Sequence, residues 1–208
     1  QDGCQEVVRA ILYAIDRPHQ QLSSPRNVGF AAGCNRGIAA CASEHVLLVN
    51  QDVELAPDYV ALLVSELDRH PETSAAQGAI LREDGRTVDS LGQHPTLGGR
   101  CREEGSGAPM PAGRAESPEV FSVCAAAAIY RRRALERVRC QGPDGSGPFD
   151  EGLFAYYEDL DLGWRLRRAG YTARTVPDAR AFHRRGGSAG PSREGIGGSR
   201  MLVRLAPP

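Results

Sequence analysis

The five residues His45-Val46-Leu47-Leu48-Val49 form an apolar run that lacks the alternation of a half-exposed strand. A strand with one face in water alternates apolar and polar residues, whereas a strand buried on both faces does not. The run therefore reads as a strand inside a layered structure, with helices packed above and below it. Its surroundings agree. Residues Asn27 to Ile38 read as a turn feeding a short helix, punctuated by Gly29, Gly33 and Gly37. Beyond the run, Pro57 stands where a helix can open, because the N–H it lacks is not needed there. Val60, Leu63, Val64 and Leu67 recur at helical spacing, and His70-Pro71 stops that segment. Ala75 to Leu81 reads as the next strand. Strands and helices alternating in this order predict an α/β protein whose mostly parallel sheet is flanked by helices.

The rest of the chain is less regular. Glu6 to Ile15 carries Val7, Val8, Ile11, Leu12 and Ile15 at helix-like spacing. From Arg82 to Glu119 glycine, proline and charge dominate, which predicts a long loop or hairpin region. Phe121 to Tyr130 reads as one buried strand, followed by a short arginine-rich helix. Gln141 to Pro148 is a glycine-proline loop. A helix is predicted from Glu158 to Ala169 with Gly170 as its C-terminal stop. Tyr171 to Val176 reads as a strand, and the tail from Gly186 is glycine-rich.

Composition removes several function classes. The 208 residues carry a formal net charge of −1, so binding nucleic acid by bulk charge, which needs a basic excess, is not expected. All 25 basic residues are arginine, which excludes Schiff-base chemistry on lysine and a Walker A phosphate loop. The six cysteines show no Cys-x-x-Cys pair, so free thiols in a reducing compartment are expected rather than a zinc site or a disulfide framework. No apolar stretch approaches the roughly 20 residues of a membrane helix. A soluble, cytoplasmic protein is the expectation.

Three places could carry chemistry. Asp52 lies just past the end of the apolar strand with Asn50 two residues before it, and open sheets bind ligands at the carboxyl ends of their strands. A carboxylate and a neighbouring amide there offer hard oxygen to Mg2+ or Mn2+; the same residues also favour an ordinary solvated turn. Glu158, Asp159 and Asp161 open a helix. They can serve as partners of the helix dipole, and that setting also keeps a carboxylate ionised, as a general base requires. Asp161 has Arg165 four residues on and suits an ion pair, whereas Glu158 and Asp159 have no such partner and follow Phe154, Tyr156 and Tyr157. His183 follows a strand and Pro177 and falls either in a loop returning over the site or at the surface. Trp164 reads as core packing, and Arg131-Arg132-Arg133 as a solvated face.

In order along the chain stand Asn27-x-Gly29-Phe30-x-x-Gly33-x-Asn35-x-Gly37, then Asn50-x-Asp52-Val53, then Phe149-Asp150-Glu151. Tyr157-Glu158-Asp159-x-Asp161-Leu162-x-Trp164-Arg165-x-Arg167-x-x-Gly170-Tyr171 follows, and Pro177 and His183 close the series. Together they resemble the family 2 glycosyltransferases, in particular the rhamnosyltransferase-like enzymes of bacterial surface polysaccharide assembly, over about residues 26 to 190. The resemblance implies the GT-A fold, a Rossmann-like sheet, in a single domain. Residues 1–81 would be the remainder of the nucleotide-sugar-binding half, and residues 82–208 the acceptor and catalytic half. It implies a divalent metal, Mn2+ or Mg2+, held by Asp52 with Asn50, and completed by His183 as in some relatives. It implies Asp159 as catalytic base beside Glu158, and Asn27, Gly29 and Asn35 in a loop beside the nucleotide-sugar. The implied reaction is single displacement with inversion, from a nucleoside-diphosphate-sugar to a polysaccharide or lipid-linked glycan acceptor.

Two departures from the pattern matter. Gln51 stands where proline is common. Family members begin with a strand and a second, acid-tipped strand that hold the nucleotide; Gln1-Asp2-Gly3 looks like the tail of that second motif, so an N-terminally truncated domain lacking about 40 residues is expected, by analogy with a βαβ unit. That expectation opens the alternative of a non-catalytic sugar- or nucleotide-binding module. A nucleotidyltransferase on a related sheet lacks the glycine-rich basic loop it would need. Peripheral docking at the inner face of the plasma membrane would use the arginines near Arg131 or at Arg184 and Arg185.

Overall fold

The computed structural model describes residues 19–98, 100–111, 116–140 and 147–184. The helical segment expected from Glu6 to Ile15, the glycine-rich tail from Gly186 and most of the Gln141–Pro148 loop lie outside the described residues.

Helix α1 (Gly29–Ala39) begins where Asn27 Oδ1 accepts a hydrogen bond from Gly29 N at 3.0 Å. Strand β1 (His45–Val49) follows, then the short β2 (Val53–Leu55). Helix α2 (Tyr59–Arg69) has Asp58 at its N-cap and His70 at its C-cap, so Pro57 lies one residue outside the cap rather than on the first turn. Strand β3 (Thr73–Arg82) is buried at every residue but its last. The stretch from Arg82 to Glu119 holds four very short strands, β4 (Val88–Ser90), β5 (Gln93–Pro95), β6 (Cys101–Glu103) and β7 (Glu119–Val120). Strand β8 (Ala127–Arg131), helix α3 (Arg132–Arg137), helix α4 (Glu158–Arg168) and the long β9 (Thr172–His183) complete the chain.

Among the described residues the main sheet has the order β1-β8-β3-β9-β2, with β4 added to β3 and β7 to β9, while β5 and β6 pair as a separate hairpin. β3 and β9 are parallel. β8 runs antiparallel between β1 and β3, so β1, β3 and β9 all point one way. The expected α/β sheet flanked by helices is thus present, with antiparallel strands set among its parallel ones.

Alternation along β1 explains its unbroken apolar character. Val46 and Leu48 pack with Ala31, Cys34 and Ile38 of α1 and Leu162 and Leu166 of α4. Leu47 points the other way, to Tyr59, Leu63 and Leu67 of α2. Each face of the sheet has its own helix layer, so neither set of side chains meets water.

Three expectations are corrected here. The single strand read from Phe121 to Tyr130 is a strand only from Ala127 onward; before it, Ser122 exchanges backbone hydrogen bonds with Gln93 of β5, and the N–H groups of Cys124 and Ala125 go to side chains. Arg131 is not on a solvated face: it is 6% exposed, its Nε donates to Thr73 O at 2.9 Å, and a second guanidinium nitrogen donates to Leu67 O. A planar multi-donor head suits this task of collecting loose carbonyls at the end of α2. Trp164 is 50% exposed and its ring lies tilted against Phe121, centroids 5.3 Å apart, on the outside of α4.

β9 extends well past Val176, where it was expected to stop, because a bulge accommodates its proline. Gly78 pairs with Val176 and Ala79 with Arg180, so Pro177, Asp178 and Ala179 are extra on the β9 side. Pro177, which has no N–H to give, is tolerated at such a place. Gly78 lies against the bulge, and a Cβ there would collide with the Ala179 carbonyl and the Tyr59 ring. Tyr59 closes the arrangement: its hydroxyl donates to Ala127 O at 2.7 Å and accepts from Gly78 N at 2.9 Å.

Candidate active site

At the C-terminal end of β1 the chain turns, with Val53 N donating to Asn50 O at 3.1 Å. Arg184 N donates to Asp52 O at 2.9 Å, and the pairing of β2 with β9 starts at Val53 opposite His183. The sheet thereby sets Asp52 beside His183, with Asp52 Oδ1 at 3.4 Å from His183 Nε2. His183 is thus a strand residue at the end of β9, not part of a loop folding back. Its other ring nitrogen, Nδ1, lies 2.8 Å from Oδ2 of Asp89 on β4. Among the described residues no three His, Cys, Asp or Glu side chains converge as a complete metal cage. A carboxylate and an imidazole side by side nevertheless match the donors that Mn2+ and similar ions accept, and such ions take their remaining ligands from water and substrate phosphates.

A second corner forms at the start of α4. Asp159 Oδ2 accepts from Gln93 Nε2 at 2.9 Å and from Ala125 N at 3.2 Å, and Oδ1 accepts from its neighbour Leu160 N at 2.8 Å. Burial raises the Asp159 pKa, while these N–H groups pull it back down. Glu158 is 6% exposed, and burial, with Asp159 next to it, pushes its pKa up to about 7. Of the two acids, Asp159 is the better held. Asp161 is spent on Arg165, at 2.6 Å, as the sequence suggests. Gln93 also donates to Glu103 Oε1 at 2.9 Å, and burial raises the pKa of Glu103 too. One amide therefore lies between two carboxylates that would otherwise repel. Ser122 Oγ donates to Asp159 O at 2.8 Å, an approach that Gly163 permits, since a Cβ there would run into Ser122.

The two corners share residues 124–126. Cys124 N donates to Gln77 Oε1 at 2.6 Å, Ala125 N to Asp159, and Ala126 O accepts from Asn50 N at 2.8 Å. Three successive residues thus join the middle of β3, the helix start and the turn that carries Asp52.

The glycine-punctuated segment behaves differently from the other motifs. Asn27 caps Gly29, and Gly29, at φ 83°, packs against Phe154. Asn35 is buried. Its amide nitrogen donates to Phe149 O and Glu151 Oε1, both at 2.9 Å, and its oxygen accepts from Phe149 N at 3.0 Å. In this structure Asn35 ties α1 to the loop before α4. That loop is strained: Phe154, Tyr156 and Tyr157 have φ of 57°, 74° and 69°.

Asp89, Gln93, Glu103, Ser122 and Ala125 were not visible as site residues in the sequence. The first three sit in strands of three residues, too short to show a period. Ala125 acts through its backbone N–H, which no residue pattern reports.

Comparison with known proteins places the chain in a family. The sequence profile described as Glycosyl transferase family 2 matches residues 1–139. The chain is 30% identical over 191 residues to the N-acetylglucosaminyl-diphospho-decaprenol L-rhamnosyltransferase of Mycobacterium tuberculosis, in two strains. That alignment covers 81% of this chain and 60% of the relative, so the chain spans less than two thirds of the length of the curated proteins it matches. Among solved structures it is similar to GalNAc-T7 with UDP, GalNAc and Mn2+, with a TM-score of 0.68 at 13% identity over 95% of this chain and 38% of the other. It is also similar to the mannosyltransferase PcManGT of Pyrobaculum calidifontis in complex with GDP-Man and Mn2+, with a TM-score of 0.59 at 18% identity over 94% and 46% of the two chains. These likenesses carry the GT-A fold, and the profile match, over more than half of the chain, carries the family. A strand-end carboxylate beside a histidine and a held carboxylate at a helix start are thus found in a chain that belongs to glycosyl transferase family 2.

Proposed function

We propose that the chain is the catalytic domain of a metal-dependent, inverting glycosyltransferase. It would move a sugar, L-rhamnose being the first candidate, from a nucleoside diphosphate to a lipid-linked or polysaccharide acceptor. The observation that carries this is the approach of Asp52 to His183 at 3.4 Å on the strand ends of a GT-A sheet. The sugar and acceptor classes follow the mycobacterial relative, and the nucleotide donor and Mn2+ follow the two structural neighbours.

Asp52 and His183 would hold the divalent ion. When bound, it supplies Lewis-acid stabilisation of the charge that gathers on the departing diphosphate. Asp159 accepts the proton of the acceptor hydroxyl as that oxygen bonds to the anomeric carbon and the bond from that carbon to the diphosphate oxygen breaks. Gln93, Ala125 N and Leu160 N keep the base in one orientation, so little reorganisation is needed at the moment of transfer. Glu158, with its pKa near 7, is the inner neighbour of the base rather than a second base. Glu103 and Gln93 bring the β5–β6 hairpin to the base, which makes this hairpin the first candidate for acceptor contacts.

No helix among the described residues is long and apolar enough to cross a membrane. A lipid-linked acceptor would bring the protein to the inner face of the plasma membrane. Arg131 is buried and cannot serve that docking, whereas Arg184 is exposed.

The test is sugar transfer from a panel of nucleoside-diphosphate sugars, with Asp52→Ala and Asp159→Asn compared with the parent. Both variants should lose at least about a hundredfold in turnover. Near-parental turnover by both, in folded protein, sinks the assignment. Metal-dependent nucleotide binding without transfer by the parent favours a binding module instead.

A further inference from the structure

We infer that Asp89 is a positioning residue: it fixes the imidazole of His183 so that Nε2 presents its lone pair toward Asp52. This rests on the metal role proposed above for Asp52 and His183.

Two distances carry the inference. His183 Nδ1 is 2.8 Å from Asp89 Oδ2, the length of a charge-assisted hydrogen bond, whereas Nε2 is 3.4 Å from Asp52 Oδ1, well beyond one. An ionised carboxylate can only accept, so the proton in the short contact belongs to Nδ1. In the neutral ring Nε2 is then left without a proton. Only a neutral ring can hold a divalent ion, and in it Nε2 turns its lone pair toward Asp52 Oδ1 at 3.4 Å. That separation suits two donors of one small cation, each about 2.1 Å from it, better than it suits a hydrogen bond.

The support behind Asp89 is buried. It lies on β4 between Val88 and Ser90, both buried, and its own side chain is 5% exposed. β4 is paired to β3 through Ser90 opposite Ile80 and Val88 opposite Leu81. His183 is fixed on the other side of β3, opposite Arg82. Asp89 and His183 thus meet across a strand that holds both, so the ring cannot turn without breaking the short bond. A ligand whose far nitrogen is anchored in this way keeps its tautomer and orientation. The same residue would do nothing for Asp159, which has its own partners.

The test uses the full chain and Mn2+ alone, with free Mn2+ followed by electron paramagnetic resonance. It compares the parent with Asp89→Ala, Asp89→Asn, Asp52→Ala and His183→Ala, each checked for a parental thermal midpoint. A second readout is the 15N spectrum of His183 in the metal-free chain at pH 9. Asp89→Ala should weaken Mn2+ binding about 10- to 100-fold and shift His183 toward the Nε2–H tautomer. Asp89→Asn, whose amide oxygen still accepts the Nδ1 proton, should recover most of the loss. Parental affinity in Asp89→Ala, or a loss of affinity with an unchanged tautomer, overturns the inference. Should the Asp89 variants fail to fold, the parent decides alone, because a proton on Nε2 of its His183 at pH 9 also overturns it. Parental Mn2+ binding by both Asp52→Ala and His183→Ala defeats the metal role itself, and this inference with it.

Discussion

The two corners of the site are built by different means. Asp52 and His183 meet because β2 pairs with β9 in one register, so the sheet itself delivers the contact. Asp159 is delivered by the start of a helix and then trimmed by an amide from β5 and a backbone N–H from residue 125. The first corner is an outcome of strand pairing and depends on that register and on Asp89 behind His183. The second is a convergence of separate segments, and each can be altered without unfolding the sheet. Changes in the β5–β6 hairpin can thus reach Asp159 and leave the strand ends alone.

The largest effect should come from separating the corners chemically. Asp159→Asn should lower kcat by about 10^2 to 10^4 while Mn2+ binding stays within twofold of the parent, whereas Asp52→Ala should lose both. Turnover assays beside Mn2+ titrations check this, and parallel losses of Mn2+ binding in both variants would merge what is described as two corners.

Next comes a backbone lesion in the strand corner. Gly78→Ala sets a methyl against the Ala179 carbonyl and the Tyr59 ring, so it should cost about 2–3 kcal/mol in denaturant unfolding. Because the bulge lies between that point and His183, Mn2+ binding should weaken with it.

The helix-start corner has its own signature in pH. Glu158 has a folded pKa of about 7 against an ordinary 4.5. A carboxyl with a raised folded pKa contributes stability that is fully present below about 4.5 and is lost as pH rises through about 7. Glu158→Gln should therefore stabilise the protein at pH 8 by about 2 kcal/mol, after allowance for partial solvation, and flatten the dependence of stability on pH between 4.5 and 7. Unfolding curves at pH 4.5 and pH 8 decide it; an unchanged slope would show that the group is solvated.

The smallest effect belongs to Asp161→Ala. Its partner Arg165 also donates to the carbonyls of Val138 and Pro148, so the loss should be about 0.5 kcal/mol with both corners intact by turnover and Mn2+ binding.

What could be read beforehand divides along the same line. The strand end at Asp52 and the helix opened by Asp159 were legible because local sequence, an apolar strand ending in a turn and acids opening a helix, defines them, whereas a role for either came only from the ordered resemblance. His183 was legible as a residue but not in its setting, since the bulge at Pro177 hides a continuing strand behind a residue that usually ends one. Asp89, Gln93 and Glu103 were not legible at all. Their strands are three residues long, and only pairing with distant segments gives them a face. The alanines before β8 misled in the opposite sense, because a small apolar run looks like a strand even where its N–H groups are committed to Asp159 and Gln77. Arg131 shows the same limit: three arginines in a row look solvated, and only the carbonyls of Leu67 and Thr73 that it binds explain why one of them turns inward.

The left-handed backbone of Phe154, Tyr156 and Tyr157 has a consequence in time rather than in space. Bulky residues in that conformation cost on the order of 1 kcal/mol or more each, and nothing is gained locally in return. A segment held against its own preference is the first to open when the molecule fluctuates. Amide hydrogens from Phe154 to Tyr157 should exchange with solvent sooner than those of α4 behind them. The segment leading into α4 is thus the looser part, while Asp159 behind it stays held by its three N–H partners.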